Sequence, residues 1–578
     1  MNKSKRKDIF GFIIGIGIII TLNFIAKFIF HRFDLTSEKR YSISEPTRQL
    51  ISNLEDQVYI SVYLEGNFPA SFKRLRNETK EMLDEFQSYS NGKIDFDFIN
   101  PSDNPDIKQR DKVYKNLYDK GLKPTDLEIK DEDGISKKVV WPGAIAVYQG
   151  IETPIQLLKS QFGAPPEVVL NRSIESLEFE IASAIKKITS PYIERIAFIE
   201  GHGELNKYET ADIVRSLREY YEVERIRIDG NINSLSARDY TDSSTADVSN
   251  KFVLAIIAGP DSAFTEKDKF IIDQFIMHGG RVVWLVNHVQ ASMDSLNPKN
   301  SFTTTGIPKE LNLDDQLFHY GVRINRDLVQ DLRAAPIPVV SGQYGTQAKT
   351  QLYPWLFYPL IFSKNDHPIN KNLDVVKLQF ANSIDLVGSD QGLKKTIVLS
   401  SSEYTKLVKA PTRISLNMLS FNPPQEQYKI KHVPVGVLVE GQFESVFKNR
   451  LTPNVTNAGE IQYREISEPT QQLFISDASL IRNDYNTKTN EYYALGFDKN
   501  TKQVYANKDF FMNAINYMVD DSGLILSNTK SFKIRLLNTQ IIDNHKTLIQ
   551  AINTVVPVIL IIIIGLILNF IRKRKYTV

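Results

Sequence analysis

One short segment of the 578-residue chain carries an imidazole between two carboxylates, with a glycine on each side of the imidazole. It consists of Glu200, Gly201, His202, Gly203 and Glu204. This EGHGE loop follows an apolar run at 193–199, and Asp477 follows a later apolar run at 473–476. Both runs are typical of buried strands. Open α/β sheets bind ligands beyond the carboxyl ends of their strands, so the loop and Asp477 form a candidate ligand-binding or metal site.

A simpler interpretation is that the EGHGE loop is a tight strand-to-helix turn. Its glycines would then serve the backbone, and its charges would face water. The sequence shows no second cluster of histidine and carboxylate residues that could complete a metal shell, which favours the turn. We therefore predict no metal and no cofactor, and binding of a polar ligand by the loop stays open as the alternative.

The chain contains no cysteine, which excludes disulfides, cysteine-ligated zinc, iron–sulfur clusters and a thiol nucleophile. The P-loop pattern GxxxxGK[ST], the GxSxG elbow, HExxH and the EF-hand loop do not occur in the sequence either. The sequence therefore predicts that the protein is not an enzyme and does not hydrolyse ATP through a P-loop.

A group of aromatic residues within the proline-rich stretch 334–361 is a candidate interface. The group consists of Tyr353, Trp355, Phe357 and Tyr358. Tyrosine and tryptophan are enriched in protein interfaces, so the predicted loop that carries them could bind a partner. An equally good interpretation is that the rings pack an insertion onto the body of the protein.

The elements around these residues predict two α/β domains. A β-α-β unit at 58–64, 70–89 and 93–99, a helix at 112–120, a strand at 125–130 and a hairpin at 144–157 follow a thioredoxin-like order. Since CxxC is absent, this domain would be structural or would bind a partner. An amphipathic helix at 171–188 links it to a doubly wound parallel sheet, whose strands are predicted at 193–199, 223–228, 252–258 and 282–286.

The second domain contains regions that are harder to assign. The polar stretch 231–250 is predicted to be a loop, and a helix starting at Thr265, with Asp268 three residues later, is predicted to run to 278. Later strands at 435–439 and 473–476 and a helix at 507–519 are predicted to complete the parallel sheet. The stretch from about 290 to 434 would then be an insertion or a separate lobe.

Both ends of the chain carry long apolar segments beside clusters of basic residues. The segment 9–30 is long enough to cross a bilayer and lacks a small-residue cleavage site, which favours a retained anchor over a signal peptide. The segment 555–571 is followed at once by Arg572, Lys573, Arg574 and Lys575. The positive-inside rule places both tails in the cytoplasm and the body on the outer side of a bacterial inner membrane, in the periplasm. Gly11 and Gly15 form a GxxxG pair that permits close helix packing, although glycine is also simply common in membrane helices.

The net charge of +2 is the sum of basic ends and an acidic body. Without eight cations near the two ends, 62 basic residues face 68 acidic ones, which leaves a body charge of about −6. Such a body does not favour nucleic acid, which requires a basic face. The predicted organisation is a tail at 1–8, a span at 9–30, a juxtamembrane segment at 31–54, a thioredoxin-like domain at 55–165, a linking helix at 166–190, a doubly wound domain at 191–525, a strand and helix at 526–553, a span at 554–571 and a tail at 572–578.

Several motifs together resemble the GldG family, the gliding-motility-associated ABC transporter auxiliary proteins of Bacteroidota. They are DLTxxxRYSxS at 34–44, the EGHGE loop, GGRVVWLV at 279–286, PVGVLVEGQFESVFKNR at 434–450, SDASLIRN at 476–483 and ANKDFFMNAINYM at 506–518. The resemblance implies an ABC-2-type permease and a cytoplasmic ATPase as partners, with a periplasmic body that supports gliding motility and secretion. It also implies that the doubly wound domain has a class I glutamine amidotransferase-like fold, without that family's cysteine nucleophile.

Three functions follow from these expectations. The first is a non-catalytic, membrane-anchored periplasmic subunit of an ABC-2-type transporter complex. The second is a structural scaffold of the motility or secretion machinery in the cell envelope, in contact with other periplasmic proteins. The third is an envelope enzyme that acts at the EGHGE loop, which substitution of His202 and Glu204 would test.

Overall fold

The computed structural model describes most of the chain between residues 42 and 524 and a helical segment near each end. The described residues are 11, 13–21, 42–131, 134–159, 166–190, 192–239, 247–344, 347–362, 367–371, 373–388, 392–421, 423–450, 453–454, 462–486, 491–520, 522–524 and 546–576. The chain forms two units, Met1–Lys530 and Ser531–Val578.

The larger unit begins with a small mixed sheet and its helices. The elements are α1 (Glu45–Ser52), β1 (Val58–Val62), α2 (Ala70–Tyr89), β2 (Ile94–Phe98), α3 (Ile107–Asp119), β3 (Thr125–Asp131), β4 (Gly134–Val140), β5 (Gly143–Tyr148) and β6 (Ile151–Gln156). The sheet order is β2-β1-β5-β6, with β1 parallel to β2 and antiparallel to β5. The predicted β-α-β unit is therefore confirmed, while its thioredoxin-like assignment stays a prediction.

Part of the predicted juxtamembrane segment at 31–54 is helical and packs onto the body. Within the predicted juxtamembrane segment, Ser44 caps α1 through its side chain, and Ile51 of α1 is fully buried. The backbone N–H of Ser44 also donates to Glu178 Oε1 at 2.6 Å. The second half of this segment therefore packs onto the body through the buried residues Thr47 and Ile51 of α1. Most residues of this short helix are polar, so its sequence did not predict a buried face.

A long helix, α4 (Pro166–Thr189), joins the small sheet to the main one, as the sequence predicted. Its apolar stripe is buried, with Ile174, Leu177 and Ile181 at the three-to-four spacing of one helix face. On another side, Glu180 accepts a hydrogen bond from the hydroxyl of Tyr220 at 3.1 Å. This helix thus contacts both the small sheet and the part of the unit that contains the main sheet.

The main sheet starts with alternating strands and helices. These are β7 (Arg195–Glu200), α5 (Ala211–Leu217), β8 (Glu222–Arg227), β9 (Ser236–Asp239), β10 (Asp247–Asn250), β11 (Leu254–Ala258), α6 (Glu266–Met277) and β12 (Arg281–Leu285). The strands β8, β7, β11 and β12 are mutually parallel, as the continuous apolar runs of β7, β11 and β12 predicted. The side chain of Thr265 caps α6 as predicted, accepting from the N–H of Asp268.

The polar stretch 231–250 was predicted to be a loop, and this prediction is wrong. It contains β9 and β10, which pair antiparallel. Both strands consist mainly of small polar and charged residues with weak strand propensity. Side-chain contacts support the hairpin, and Ser236 Oγ donates to Asn250 Oδ1 at 2.9 Å.

The stretch from 289 to 415 consists mostly of short antiparallel pairs. Its elements are β13 (Val289–Gln290), β14 (Thr303–Pro308), α7 (Asp314–His319), β15 (Val322–Ile324), β16 (Asp327–Asp331), β17 (Ala334–Tyr344), β18 (Gln347–Ile361), β19 (Val376–Lys377), β20 (Ile384–Leu386), β21 (Lys394–Ser400), β22 (Thr405–Lys409) and β23 (Thr412–Ser415). The predicted aromatic loop at 334–361 is instead a long hairpin, β17–β18. Its prolines indicated a loop, but Pro336 and Pro354 lie opposite each other in the ladder, next to an irregularity between Ala334 and Pro336.

The main sheet is completed from the end of the larger unit. The remaining elements there are β24 (Pro434–Gly441), β25 (Thr470–Ile475), β26 (Tyr485–Asn486), β27 (Glu491–Tyr492) and α8 (Asn507–Val519). The sheet order is β21-β24-β25-β12-β11-β7-β8, and β25 is parallel to β12 as predicted. The prediction that β24 is also parallel is wrong, since it runs antiparallel to both β25 and β21. An apolar run in the sequence predicts that a strand is buried but does not predict its direction. The position of β21 in this sheet shows that the stretch 290–434 contributes a strand to it and is not a separate lobe.

The smaller unit contains one long helix, α9 (Lys546–Tyr576), with Pro557 in its interior. Residues Gln550–Arg574 contain an 18-residue window with a mean hydropathy of 2.9, which is apolar enough to cross a membrane, and none of this window is buried. Among the described residues this is the one candidate span. Of the predicted first span, only residue 11 and residues 13–21 are described, and they are helical. Gly11 and Gly15 lie on that segment, and the strand predicted at the start of the stretch 526–553 lies outside the described residues.

Candidate functional site

A cavity of about 650 Å³ lies at the carboxyl ends of the parallel strands. Residues that follow four of the parallel strands contribute to its wall. Glu204 comes from the loop after β7, Gly259 follows β11, Asn287 follows β12 and Asp477 follows β25. Gly203 and Glu204 of the EGHGE loop therefore line the same cavity as Asp477, which topology alone had placed at this sheet edge. Glu200, Gly201 and His202 do not contribute to its lining.

The opposite wall comes from residues outside the parallel strands. Ile337 of β17, Tyr358 of β18, Lys377 of β19 and Phe380 contribute to it, together with Phe497 before α8. The long hairpin therefore helps to enclose the edge of the sheet. Its sequence, predicted to be an irregular insertion, gave no signal that it would form part of this wall.

Charged residues of the cavity wall are largely paired with one another. The pairs are Lys309 with Asp261 at 2.5 Å, Lys377 with Asp498 at 3.0 Å, Arg482 with Glu209 at 3.1 Å and Lys499 with Asp484 at 3.9 Å. Burial opposes ionisation of Asp498, but the neighbouring Lys377 outweighs it and lowers the pKa of that carboxyl. Among the described residues, the lining has four cationic side chains and seven carboxyl side chains, so a ligand would meet a wall that is rich in hydrogen-bonding groups and has more acidic than basic residues.

His202 is buried inside the EGHGE loop and touches a carboxylate with each ring nitrogen. Nδ1 lies 3.3 Å from Glu204 Oε1, and Nε2 lies 3.3 Å from Asp268 Oδ2. The imidazole stacks on Phe264 with 3.6 Å between ring centroids. Burial disfavours the charged ring, yet the hydrogen bonds to Asp268 and Glu204 outweigh it and raise the pKa of His202 to about 9. The ring is therefore a charged clamp between two carboxylates, with neither nitrogen free to act as a base.

The backbone of the EGHGE loop is the tight turn that the simpler interpretation described. Gly201 and Gly203 have φ angles of +132° and +78°, and the carbonyl of His202 accepts from the N–H of Asp261 at 2.7 Å. The expectation that its charges face water is wrong for His202 and for the side chain of Glu204, which is 2% exposed. The partner Asp268 was recognised in the sequence only as part of a helix cap, since no local pattern reveals its contact with His202.

Asp477 is fully buried and receives four hydrogen bonds. Its carboxylate accepts from the N–H of Gln379 at 2.5 Å, from the hydroxyl and N–H of Ser479 at 2.6 and 2.9 Å, and from Asn287 Nδ2 at 3.2 Å. Burial raises the pKa of Asp477, and these donors oppose the rise. The side chain thus ties β25 to the opposite wall of the cavity. No group of three or more His, Asp or Glu side chains within the described ranges is placed to hold a metal ion.

The predicted aromatic interface is mostly core. Trp355, Phe357 and Tyr358 are buried in one cluster with Phe380, and only Tyr353 is partly exposed. The ring centroids of Phe357 and Phe380 lie 5.6 Å apart. The interpretation of an exposed binding surface is therefore wrong for these three rings, because β18 turns them inward.

We expect Gly203→Ala to destabilise the protein more than Gly92→Ala does. Both glycines have a φ of +78°, so the backbone strain of about 1–2 kcal/mol is common to both. A Cβ at Gly203 would lie 2.9 Å from Cβ of Asp261, whereas nothing lies within 4 Å of one at Gly92. Urea unfolding of the two variants measures the difference, which we expect to be about 1–3 kcal/mol. Equal losses would contradict the tight packing of the turn.

The paired charges around His202 also predict how stability changes with pH. The pKa of His202 is raised from 6.5 to about 9. Its contribution to the free energy of unfolding is therefore complete below about pH 6.5 and is lost as the pH rises through 9. The pKa of Asp268 is lowered below 3.8, so its contribution is present above that value and is lost in more acidic solution. Urea unfolding should show the free energy falling between about pH 6.5 and pH 9.5, and less steeply in His202→Ala. An identical pH profile for the two proteins would contradict the clamp.

Comparison with known proteins finds one family that matches the part of the chain with the main sheet, and a second family that matches the part with the small sheet. Residues 194–514, more than half of the chain, match a family described as an ABC-type uncharacterized transport system. Residues 37–147 match a domain of unknown function. A protein from Borreliella burgdorferi, described only as uncharacterized, is 21% identical over 99% of both chains.

Likenesses to solved structures are weak. The N-terminal domain of mmIFT52 has a TM-score of 0.30 at 12% identity, covering 56% of this chain and 97% of that domain. A protein described as ThuA-like from Parabacteroides merdae has a TM-score of 0.25 at 8% identity, covering 57% of this chain and 90% of its own. Neither likeness is close enough to extend the description of the fold.

Proposed function

The chain belongs to the family described as an ABC-type uncharacterized transport system, and from this membership we propose that it is a non-catalytic, membrane-anchored subunit of an ABC transporter. Its partners would be an ABC-2-type permease and a cytoplasmic ATPase. The family match covers the main sheet and the cavity, so the proposal concerns the body of the protein and not only its ends.

Family membership carries the transporter part of this proposal, and the apolar helix α9 carries the membrane-anchored part. Its window Gln550–Arg574 is entirely unburied, and it ends in the basic residues Arg572, Lys573 and Arg574. An unburied apolar helix of this length is suited to a bilayer of about 30 Å. The basic end favours a cytoplasmic tail, which supports a body on the outer side of the inner membrane.

A non-catalytic role is supported by the chemistry of the chain. The sequence has no P-loop, so ATP hydrolysis would come from another subunit. Both nitrogens of His202 are engaged by carboxylates, and the chain has no cysteine nucleophile. One or two spans cannot enclose a transport pathway, so a polytopic permease would supply it. The cavity of about 650 Å³ is then the place where we propose that the body binds a polar ligand.

The cellular process is a further part of the proposal. The resemblance to the GldG family adds gliding motility and its secretion machinery, and this addition rests on the sequence motifs alone. Deletion of the gene in a gliding host, followed by complementation, tests it. Loss and recovery of colony spreading support the motility role, and normal spreading after deletion contradicts it.

Affinity purification of the full-length protein from native membranes tests the proposed function. We expect a permease and an ATPase among its companions, and we expect both to be lost when α9 carries polar substitutions. The matched control is a variant with conservative apolar substitutions in α9, which should keep both companions. Envelope proteins without an ATPase would favour the scaffold function instead, and no companions would contradict both.

A further inference from the structure

One edge of β22 has backbone groups that no strand among the described residues pairs with. The hydrogen bonds to β16 fix which residues face which side. The N–H of Ala410 donates to the carbonyl of Arg326 at 3.0 Å, and the N–H of Leu332 donates to the carbonyl of Tyr404 at 3.1 Å. In an antiparallel ladder, hydrogen-bonded positions alternate with positions that face away. Residues 404, 406, 408 and 410 therefore face β16, and the odd-numbered residues face outward.

Of the outward-facing residues of β22, only the first, Thr405, forms backbone hydrogen bonds with another described segment. Thr405 exchanges hydrogen bonds with Ile430, at 3.0 and 3.1 Å. Leu407 and Lys409 follow on the same edge, and β22 pairs with no strand other than β16 among the described residues. Their N–H and carbonyl groups are thus positioned to hydrogen-bond an added strand.

This edge borders a groove of about 530 Å³. Its apolar lining consists of Leu356, Leu407, Val408, Met418, Phe421, Pro423, Pro424 and Tyr428. Phe421 is 75% exposed, which is unusual for a phenylalanine in a folded protein. The groove therefore offers apolar contacts beside the open backbone edge.

The charge of the groove is one-sided. Lys406, Lys409 and Arg413 line it, and no acidic side chain does so among the described residues. Lys406 donates to Gln427 Oε1 at 2.8 Å. Lys409 and Arg413 are exposed, and no ion pair joins either of them to a described residue. The cavity at the main sheet differs in this respect, since its cations are paired with carboxylates.

We propose that this groove docks an extended, acidic segment of a partner protein, which adds a strand to the free edge of β22. Backbone groups of Leu407 and Lys409 would hydrogen-bond the segment, and its alternate side chains would contact Phe421 and the cations. Lysine on an edge strand also discourages pairing with a second basic edge, so two copies of this chain would not pair here. The docking is independent of the ligand cavity and of the proposed transporter function.

A charge exchange tests the proposal on the full-length protein in detergent. The probe is a short fluorescent peptide of alternating valine and glutamate, and its counterpart carries lysine in place of glutamate. We expect the acidic peptide to bind the unmodified protein, and the affinity to fall at least about tenfold in Lys409→Glu/Arg413→Glu. The basic peptide should show the opposite preference. Added salt should weaken both interactions.

Two further variants separate the backbone edge from charge and from folding. Leu407→Pro removes an N–H that faces the groove and no N–H that faces β16, so it should abolish peptide binding. Because the Leu407 side chain also packs against the main core, Leu407→Ala is the packing control and should keep peptide binding. Lys112→Glu/Lys115→Glu, exposed on α3 and outside the groove lining, is the charge-matched control and should leave binding unchanged. The proposal is overturned if the acidic peptide binds nothing, or if it binds the unmodified protein and Lys409→Glu/Arg413→Glu equally. Binding that survives Leu407→Pro would overturn strand addition.

Discussion

Two arginines in the middle of α9, Ile562→Arg and Ile563→Arg, are expected to prevent the C-terminal end of the chain from crossing the bilayer. Each arginine at the centre of a spanning helix costs about 2.5–3.5 kcal/mol, so the pair would remove most of the drive for insertion. Since the chain has no cysteine, Tyr576→Cys introduces a single thiol. An impermeant maleimide applied to spheroplasts should label this thiol in the arginine variant and not in the protein with an unmodified helix.

Two controls make this result specific. Ile562→Leu with Ile563→Leu keeps the helix apolar and should leave the thiol at position 576 protected. Glu55→Cys is exposed on the body and should be labelled with either helix. Labelling at position 576 in the protein with an unmodified helix would contradict a cytoplasmic tail. Protection of the thiol at position 55 would contradict a body on the outer side of the inner membrane.

His202→Ala is expected to reduce the free energy of unfolding by about 3–5 kcal/mol, because it removes the cation from between two buried carboxylates. The side chains of Glu204 and Asp268 are 2% and 7% exposed, so neither can regain full hydration. Urea unfolding followed by circular dichroism measures the loss. The turn after β7 would also lose its stacking contact with Phe264.

His319→Ala is the matched control, because His319 is exposed at the end of α7. His319→Ala should reduce the free energy of unfolding by less than about 0.5 kcal/mol. Equal stability of His202→Ala and the unmodified protein would contradict the clamp. A His202→Ala protein that keeps its stability but loses function in the cell would instead favour an enzyme that acts at the EGHGE loop.

The sequence predicted the parallel part of the fold well because burial leaves a direct pattern. Strands β7, β11 and β12 are buried on both faces and therefore read as continuous apolar runs. The capped start of α6 and the full extent of α8 were also predicted. The direction of β24 was not, since its apolar run is the same whether the strand is parallel or antiparallel.

The candidate site could be predicted only in outline. Topology alone placed Asp477 and the EGHGE loop at the same edge, because parallel strands share one carboxyl end. The contact between His202 and Asp268 joins residues 66 positions apart, and no local pattern reveals it. The hairpin β17–β18 escaped prediction because its prolines resemble those of a loop.

The open edge of β22 could not be predicted from sequence either. Residues 405–409 alternate weakly, and only the ladder with β16 shows which of their backbone groups remain free. The cations Lys409 and Arg413 are ordinary surface residues in the sequence. Their significance arises from the groove that the fold builds around them.

Photo-crosslinking from α9 in native membranes tests the account most directly. A photoreactive amino acid at Leu560, Ile564 or Leu568 samples one face of the helix, since these positions are four residues apart. We predict a covalent adduct with an ABC permease from at least one helix face, and none with that permease from the same group at Glu55 of the body. Adducts only with lipid, or only with proteins unrelated to a transporter, would contradict the assignment of this chain as a transporter subunit.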